Sequence, residues 1–257
     1  MITTQKSALQ VVKKILAADF ACEESDFDYE GVTFHLSKEV EGARRFPLPE
    51  KFLAIVTMGG GVVVSCSAER LEWARRNLAG FAPDALFYAP ALALMVNLVA
   101  RDNQTMFGPE LRYICTLDTF QPHPAENDIE LSMIDKQSIQ QLCENNQFPN
   151  AFGRQRDPQR PTLLACLARC NGAIAGLAAA SADSEAMWQV GIDIIREYRN
   201  RGIGKALVSR LTEALFGIEK LPYGSVATNN IASRRIAISV GYRPAWVDVF
   251  SKEATLR

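Results

Sequence analysis

The sequence predicts an α/β (α+β) fold, in which strands alternate with helices around one mixed sheet. Hydrophobic residues make up 48% of the chain and charged residues 22%, which is enough apolar material for a buried core. From residue 129 onward, short apolar runs of strand length alternate with stretches of helical period. Glycine, asparagine and proline separate these runs. Alternation of this kind is typical of helices that pack on a single sheet.

The C-terminal half carries the most regular pattern. Strands are predicted at residues 129–133, 163–168, 173–180, 187–195, 225–228 and 246–250. Helices are predicted at residues 135–145, 202–216 and 231–240. Asp135 is placed to cap the first helix, and Gly241 to end the last one in a left-handed conformation. The middle helix repeats apolar residues along one stripe, which predicts that it packs on the sheet: Ile203, Leu207, Leu211 and Leu215.

The N-terminal half, up to about Asp118, also mixes helices and strands. Helices are predicted at residues 7–20 and 68–78, and strands at 52–66 and 111–116. Three glycines split the 52–66 stretch into two strands, and without the flanking residues of a phosphate-binding loop they predict a hairpin turn. The apolar run at 85–100 is short for a membrane span and contains a proline, which favours a buried helix.

Residues 119–128 contain two prolines and few apolar side chains. This composition predicts a linker. The sequence is accordingly divided into a smaller mixed α/β N-terminal domain at 1–118 and a C-terminal domain at 129–257.

Composition argues against several classes of function. The 28 basic and 29 acidic residues nearly cancel and form no long run, so nucleic acid is not predicted as a partner. The N-terminus lacks the apolar core of a secretion signal, and no membrane partner is predicted. Six scattered cysteines and two histidines do not make a metal site. The thiols are interpreted as reduced, mostly buried residues of a cytoplasmic protein.

The most informative segment is VGIDIIREYRNRGIGK, residues 190–205. A buried strand enters a loop with two glycines, Gly202 and Gly204, that opens an amphipathic helix. First-turn amides lie at the positive end of the helix dipole, so the segment predicts an anion site that a pyrophosphate can approach closely. Arg199, Arg201 and Lys205 add positive charge. The alternative is a flexible loop with solvated basic residues, whereas the spacing excludes a Walker loop and a dinucleotide fingerprint.

EYRNRGIGKALV resembles the acetyl-CoA signature of the GNAT superfamily of N-acetyltransferases. NIASRRIAISVGY, residues 230–242, is similar to the second element of that family, and ASADSEAMWQVGID, residues 180–193, resembles a bacterial branch with an extra N-terminal region. The resemblance covers roughly Asp128 to the C-terminus. It implies a mixed, mostly antiparallel central sheet flanked by helices. It also implies transfer of the acetyl group of acetyl-CoA to a primary amine.

The resemblance implies a coenzyme site along the fourth predicted strand of the C-terminal half. Main-chain groups of that strand hold the pantetheine arm, amides of the following loop hold the pyrophosphate, and the start of the last helix lines the pantetheine. Arg234 or Arg235 meets the remaining phosphate, with a solvated helix face as the alternative. The coenzyme-binding residues implied are Ile192, Ile194, Arg199, Arg201, Gly202, Ile203, Gly204, Lys205, Asn230 and Ser233.

Acetyl transfer needs a base for the amine, and the candidates are Asp183, Glu185 and Asp193. Asp193 alternates with the isoleucines beside it and is predicted to face the other side of the sheet. Asp183 is alternatively part of a turn, and Asp193 a partner of an arginine. Trp188 is interpreted as core, and Gln189 as a group that could orient the substrate.

Many members of the resembled family protonate the leaving thiolate with a tyrosine of the second helix. Alignment on Asn230 and Gly241 puts Ala237 at that position, and Ser239 and Tyr242 lie near it in sequence.

Three further hypotheses stay open at this point. The first is a non-catalytic acyl-CoA-binding sensor or regulator, and the second is an interaction protein whose N-terminal half supplies the working surface. The third is that the N-terminal half is a diverged GNAT-like half. The acceptor is not identified among amino acids, polyamines, aminoglycosides and protein N-termini, although the charge mildly favours a small cationic amine. A homodimer is neither predicted nor excluded.

Overall fold

The computed structural model describes residues 3–44, 51–126, 128–153 and 160–254. Within these ranges it contains six α-helices and ten strands. The helices are α1 (Gln5–Phe20), α2 (Ala68–Leu78), α3 (Ala89–Val99), α4 (Lys136–Glu144), α5 (Ile203–Gly217) and α6 (Ile231–Val240). The strands are β1 (Val32–Leu36), β2 (Leu53–Thr57), β3 (Val62–Cys66), β4 (Gln104–Ile114), β5 (Ile129–Met133), β6 (Thr162–Cys170), β7 (Ala173–Ser181), β8 (Met187–Ile194), β9 (Leu221–Ala227) and β10 (Arg243–Glu253).

The predicted α/β (α+β) class with a mixed, mostly antiparallel sheet is confirmed. The predicted bounds of α2, β5 and α6 coincide with the observed ones. β4 starts seven residues earlier than predicted, because Gly108 and Pro109 interrupt its apolar pattern. β1 was not predicted, since its five residues include Thr33 and His35 and carry no clear period.

The buried helix predicted at 85–100 is shorter than predicted, and only one of its faces is buried. α3 begins only at Ala89, with Pro90 in its first turn, where a missing N–H costs no hydrogen bond. It buries the face of Ala91, Met95 and Val99 and leaves Leu94 and Val96 exposed. No helix in the described ranges combines the length and apolar content needed to cross a bilayer.

The described residues form two compact units, and each is built from two separate stretches of chain. One comprises residues 9–112 and 245–254, and the other residues 3–8 and 113–244. The chain passes between the units within β4 and again within β10. The prediction of domains at 1–118 and 129–257 is about which segments fold independently of each other. It stays a prediction.

The first unit has the strand order β1-β3-β2-β10-β4. β1 runs parallel to β3, whereas β2 is antiparallel to both β3 and β10. β2 and β3 are buried almost throughout and pack with α2 and α3. Strands covered on both faces read as unbroken apolar runs, which is why AIV and VVV stand out in the sequence.

The same unit buries a group of charged side chains. The Arg112 guanidinium bonds Asp248 at 2.8 Å, and the Trp246 indole donates to the same carboxylate at 3.0 Å. Arg44 forms an ion pair of 2.6 Å with Asp19. These five residues are at most 4% exposed. Buried ions of this kind are tolerated because each is paired and hydrogen-bonded.

The second unit has the strand order β9-β8-β7-β6-β5, with β8 and β9 parallel and the other pairs antiparallel. The predicted stripe of α5 is buried and packs on one face of the sheet, against Trp188 and Ala178 among others. α4 and the segment 148–152 cover the other face through Ile139 and Phe148. Successive residues of the central strands therefore face different helices.

Residues 119–126, predicted as part of a linker, are bound to α5 and α6. Gln121 N–H donates to the Val240 carbonyl, and His123 Nε2 donates to the Ser239 carbonyl, both at 2.9 Å. The rings of Phe120 and Phe216 meet edge to face at 5.6 Å. We call residues 119–126 the strap, because they lack regular structure yet are held at several points along these two helices.

Candidate functional site

β8 and β9 are parallel neighbours that pair over only part of their length. Their register joins Met187–Gln189 to Leu221–Tyr223. Beyond it, β8 continues to Ile194 and β9 to Ala227, all within the described part of the chain. On its other side β8 stays paired with β7 as far as Ile194. The backbone of residues 190–194 therefore has no ladder partner on the β9 side within the described residues, and an extended ligand can bind there like an added strand. We call this unpaired stretch the opening between β8 and β9.

The loop after β8 presents unpaired backbone donors. Gly202 adopts a left-handed conformation, φ 76°, and its carbonyl accepts the amides of Lys205 and Ala206 at 3.0 and 3.2 Å. The amides of Ile203 and Gly204 have no partner among the described residues. They lie at the positive end of the fifteen-residue helix α5, which favours an anion.

Charged side chains surround this loop. Arg199 and Lys205 are exposed, and Arg199 Nε also donates to the Ile194 carbonyl at 3.2 Å. Arg201 forms an ion pair with Asp128. A Cβ placed on Gly202 would lie 3.6 Å from Glu126 Oε1. The predicted anion site thus has cations around it, and two carboxylates lie beside its centre.

α6 lies against the start of α5. The Asn230 side chain accepts the Ser233 amide at 3.1 Å, so both predicted coenzyme residues take part in the helix cap. A Cβ on Gly204 would lie 2.7 Å from Ile236 Cδ1, which explains why a glycine occupies that position.

The two predicted phosphate arginines of α6 differ in their surroundings. Arg234 donates to the Thr228 carbonyl at 3.1 Å, and Arg235 is exposed. Arg235 is therefore the freer of the two for a phosphate within the described structure.

Ala237, which the sequence resemblance aligns with the usual tyrosine, is half-buried. Tyr242 cannot substitute for it directly, because it is 2% exposed and its hydroxyl lies 2.8 Å from Thr212 Oγ1. Burial raises the pKa of Tyr242 far above its ordinary value of 10.0. Ser239 donates to the Ile236 carbonyl at 2.8 Å.

Asp193 lies on the face of β8 opposite Ile192 and Ile194, which pack with α5. Its carboxylate accepts the Asn150 amide at 2.7 Å, the Asn150 side chain at 2.6 Å and the Ala151 amide at 3.0 Å. These partners differ from the arginine that the sequence suggested as its alternative. They fix the 150–151 backbone over β8.

Asp183 is buried at the core of a polar cluster. Arg160 Nε and Tyr223 Oη donate to its two oxygens, and Arg160 Nη2 donates to Gln189 Oε1. Tyr223 Oη also lies 3.4 Å from Gln189 Oε1. We call Arg160, Asp183, Gln189 and Tyr223 the Asp183 cluster. Glu185, the third predicted base, is exposed in the turn before β8.

Sequence reasoning missed Arg160 and Tyr223. Neither lies in a motif, and Tyr223 meets Gln189 only because β8 and β9 pair in this register. No local signal carries that information.

A cavity of about 290 Å³ lies in the second unit between the strap and α5. Pro122, Pro124 and Leu131 give it apolar walls, with Arg210 and Glu213 at its lining. None of its lining residues belongs to β8, β9 or the Asp183 cluster. This cavity is therefore a feature separate from the opening between the two strands.

Residues 130–242 match the model of the acetyltransferase (GNAT) family. Among solved structures, the chain is similar to a GCN5-related N-acetyltransferase-like protein from Streptococcus suis, with 17% identity, a TM-score of 0.46, and 64% of this chain and 69% of that chain covered. It is also similar to a GCN5-related N-acetyltransferase from Kribbella flavida, with 18% identity, a TM-score of 0.43, and 63% of each chain covered. It is similar as well to a GCN5-related N-acetyltransferase from Sphaerobacter thermophilus, with 16% identity and a TM-score of 0.45. That match covers 64% of this chain and 57% of the other. The chain thus spans less than two thirds of the last two proteins. No curated protein matches it.

Proposed function

The chain carries a GNAT acetyltransferase domain at residues 130–242, and from this premise we propose that it is an N-acetyltransferase. It transfers the acetyl group of acetyl-CoA to a primary amine of a small acceptor. The observation that carries the proposal is the opening between β8 and β9, which leads to the unpaired amides at the start of α5. An extended arm with a pyrophosphate at one end has the shape and charge that this arrangement fits.

The residues of the loop fit a pyrophosphate. The left-handed Gly202 leaves the backbone bare, the Ile203 and Gly204 amides donate, and Arg199 and Lys205 supply charge. Arg201 joins them once it leaves Asp128. The main chain of Ile192 and Ile194 holds the pantetheine arm, and Asn230 and Ser233 line it from the end of α6.

Acetyl-CoA, when bound, supplies an acetyl group activated as a thioester. In the transfer, the amine nitrogen forms a bond to the carbonyl carbon and gives up a proton, while the carbon–sulfur bond breaks and the sulfur takes the electron pair and a proton. Asp183, Glu185 and Asp193 are the proposed acceptors of the amine proton. Glu185 makes no hydrogen bond or ion pair within the described residues, whereas Asp183 and Asp193 must first exchange partners.

The compartment and the partner of the protein are proposed from its cysteines and its net charge. All six cysteines are free, which supports a reducing compartment, and we propose the cytoplasm. The partner is a small amine rather than a nucleic acid, because the chain has a net charge of −1. We propose no metal for the reaction, and a homodimer stays open.

A second candidate is an acyl-CoA-binding regulator without catalysis. It is favoured by Ala237 at the usual tyrosine position and by the burial of Tyr242. Coenzyme A thiolate is a tolerable leaving group, so the missing acid alone does not decide between the two. Thiol release in the presence of a panel of amines decides it, because only the enzyme releases free coenzyme A.

Calorimetric titration with acetyl-CoA tests the coenzyme site. We expect the wild-type protein to bind and Gly202→Glu to lose binding, because a carboxylate would stand where the pyrophosphate goes. Gly217→Glu is the matched control, since Gly217 ends the same helix and has no atom within 4 Å of an added Cβ. Absence of binding to the wild-type protein would overturn the proposal, as would equal binding by Gly202→Glu.

A further inference from the structure

The orientation of the Gln189 side-chain amide is fixed by chemistry. An arginine guanidinium has only donors, so the Gln189 atom that Arg160 Nη2 contacts must be the oxygen. The opposite orientation would place two donors against each other. The Gln189 amide nitrogen therefore points away from Arg160.

The partner of that amide is itself held firmly. Arg160 donates through Nε to Asp183 and through Nη2 to Gln189, so one planar group spans both. Asp183 is 1% exposed and also accepts from Tyr223, which is fully buried. Because the single Tyr223 proton is given to Asp183, the 3.4 Å contact of its hydroxyl with Gln189 is secondary. A buried network with its members satisfied keeps one geometry.

The amide nitrogen of Gln189 has no hydrogen-bond partner within the described part of the chain. Its residue is half-buried and is the last one of β8 that pairs with β9. One end of the amide is thus anchored, and the other is a donor at the point where the two strands part.

We propose that this nitrogen donates a hydrogen bond to the thioester carbonyl oxygen of acetyl-CoA, so that Gln189 is a catalytic residue. The inference rests on the proposed function, in which the pantetheine arm runs along residues 190–194 toward Gln189. The acyl end of that arm then reaches the place where β8 and β9 separate. A donor fixed in advance stabilises the negative charge that develops on this oxygen as the amine attacks.

The charge of the cluster supports a donor rather than a base. Arg160 and Asp183 form an ion pair of opposite charges, and the Gln189 amide carries no charge. A neutral donor platform orients a carbonyl without attracting the acceptor's ammonium form. Arg160, Asp183 and Tyr223 are positioning residues in this arrangement, because they act through Gln189, and Glu185 and Asp193 are then left as the proposed bases.

Isotope-edited infrared spectroscopy of acetyl-CoA labelled with carbon-13 at the carbonyl tests the inference without any acceptor. In the wild-type protein we expect the carbonyl stretch to move to lower frequency on binding, as a hydrogen bond weakens the double bond. Gln189→Glu keeps an oxygen for Arg160 but removes the donor, and Gln189→Met keeps the length of the side chain. Both variants are expected to lose the additional shift while they still bind acetyl-CoA by calorimetry.

Gln141→Glu is the matched control, because Gln141 is an exposed glutamine on α4. It is expected to keep the wild-type shift. An equal shift in the wild-type protein and in a folded, binding Gln189 variant would overturn the inference and leave the coenzyme site standing. Loss of binding by the wild-type protein would instead overturn the proposed function together with it.

With an acceptor in hand, the rate supplies a second measurement. Removing one fixed donor to a developing oxyanion costs roughly 10²–10³ in kcat. A structural role of Gln189 would not shift the carbonyl band, so the spectrum and the rate together separate the two roles.

Discussion

Arg201 lies in the loop between β8 and α5, and its charge is already paired. Its guanidinium pairs with Asp128, and both side chains are about 40% exposed. Cys170 also donates to the same carboxylate at 3.5 Å. A coenzyme phosphate must therefore compete with Asp128 for this arginine.

We expect Asp128→Asn to bind acetyl-CoA more tightly than the wild-type protein. An exposed ion pair is worth about 0.2–1 kcal/mol, so the dissociation constant should fall by up to about fivefold. Calorimetry at low salt measures this, and the gain should shrink as salt screens the charges. Glu130→Gln, which removes an exposed charge on β5, serves as the control. Weaker binding by Asp128→Asn would mean that Asp128 orients Arg201 for the phosphate.

The polar contacts of Asp193 and Asp183 show why residue types alone did not predict the site chemistry. The alternation along β8 correctly predicts that Asp193 faces away from Ile192. What the alternation cannot supply is the partner on that face, because Asn150 is 43 residues away in the chain. The same holds for Arg160 and Asp183, which meet only after the fold has formed.

At the scale of elements, α6 is delimited by local chemistry at both ends. Asn230 caps its start, and Gly241 ends it with φ 102°. Gly241 also meets the strap, since an added Cβ would lie 2.0 Å from the Thr119 carbonyl oxygen. The glycine is therefore required twice, once for its backbone conformation and once for the close approach.

Two alanine substitutions separate these requirements. Gly172→Ala has a similar positive φ of 81° but no atom within 4 Å of the new Cβ. We expect it to cost about 1–2 kcal/mol of unfolding free energy, from backbone conformation alone. Gly241→Ala should cost clearly more, because the strap must also move. Urea unfolding measures both, and equal losses would contradict the tight contact between α6 and the strap.

Elements with local signals were predicted well, and those set by distant pairing were not. The stripe of α5 and the caps of α4 and α6 are each written within a dozen residues, and the structure has them where the patterns indicate. β1 gains its place from a parallel pairing with β3, and its own sequence does not show it. The strap lacks helix and strand as predicted from its prolines, but its hydrogen bonds to Val240 and Ser239 depend on where α6 ends up.

At the scale of the whole molecule, buried thiols govern the response to alkali. Burial raises the pKa of Cys66 and Cys166 to about 11 and that of Cys115 to about 12, from an ordinary value of 9.0. Above pH 9 the unfolded chain therefore releases thiol protons before the folded chain does. The contribution of these thiols to the free energy of unfolding is fully present below pH 9. It is lost as the pH rises toward 11–12.

Lys51 acts in the opposite direction. Burial lowers its pKa from 10.5, so the unfolded chain holds its proton longer than the folded one, and stability rises with pH up to about 10.5. One lysine is set against these three thiols and against Cys22, whose pKa burial raises to about 12, so the net effect on the alkaline side is a loss of stability. We expect the free energy of unfolding to decrease steadily between pH 9 and pH 10.5.

Urea unfolding at half-unit steps of pH measures this decrease. Each thiol contributes at most about 1.4 kcal/mol per pH unit, so Cys166→Ala should flatten the slope by up to that amount. Val208→Ala, a core substitution in the same unit that removes no thiol, should lower stability at every pH without changing the slope. An unchanged slope in Cys166→Ala would show that its thiol does not titrate differently in the two states.

The path of the chain through β10 affects when the first unit can finish folding during synthesis. The first unit holds residues 9–112, yet it also takes Val247–Phe250 as partners for β2 and Asp248 as the partner of Arg112. A ribosome adds about 5–20 residues per second, so residues 113–244 take on the order of ten seconds to appear. During that interval β2 lacks β10, one of its two neighbours, and the Arg112 guanidinium lacks Asp248, one of its two carboxylate partners. The first unit, most of which leaves the ribosome first, can therefore complete its sheet only after β10 has been made. A chaperone that covers the apolar strand β2 would act on this unit before it acts on the second one.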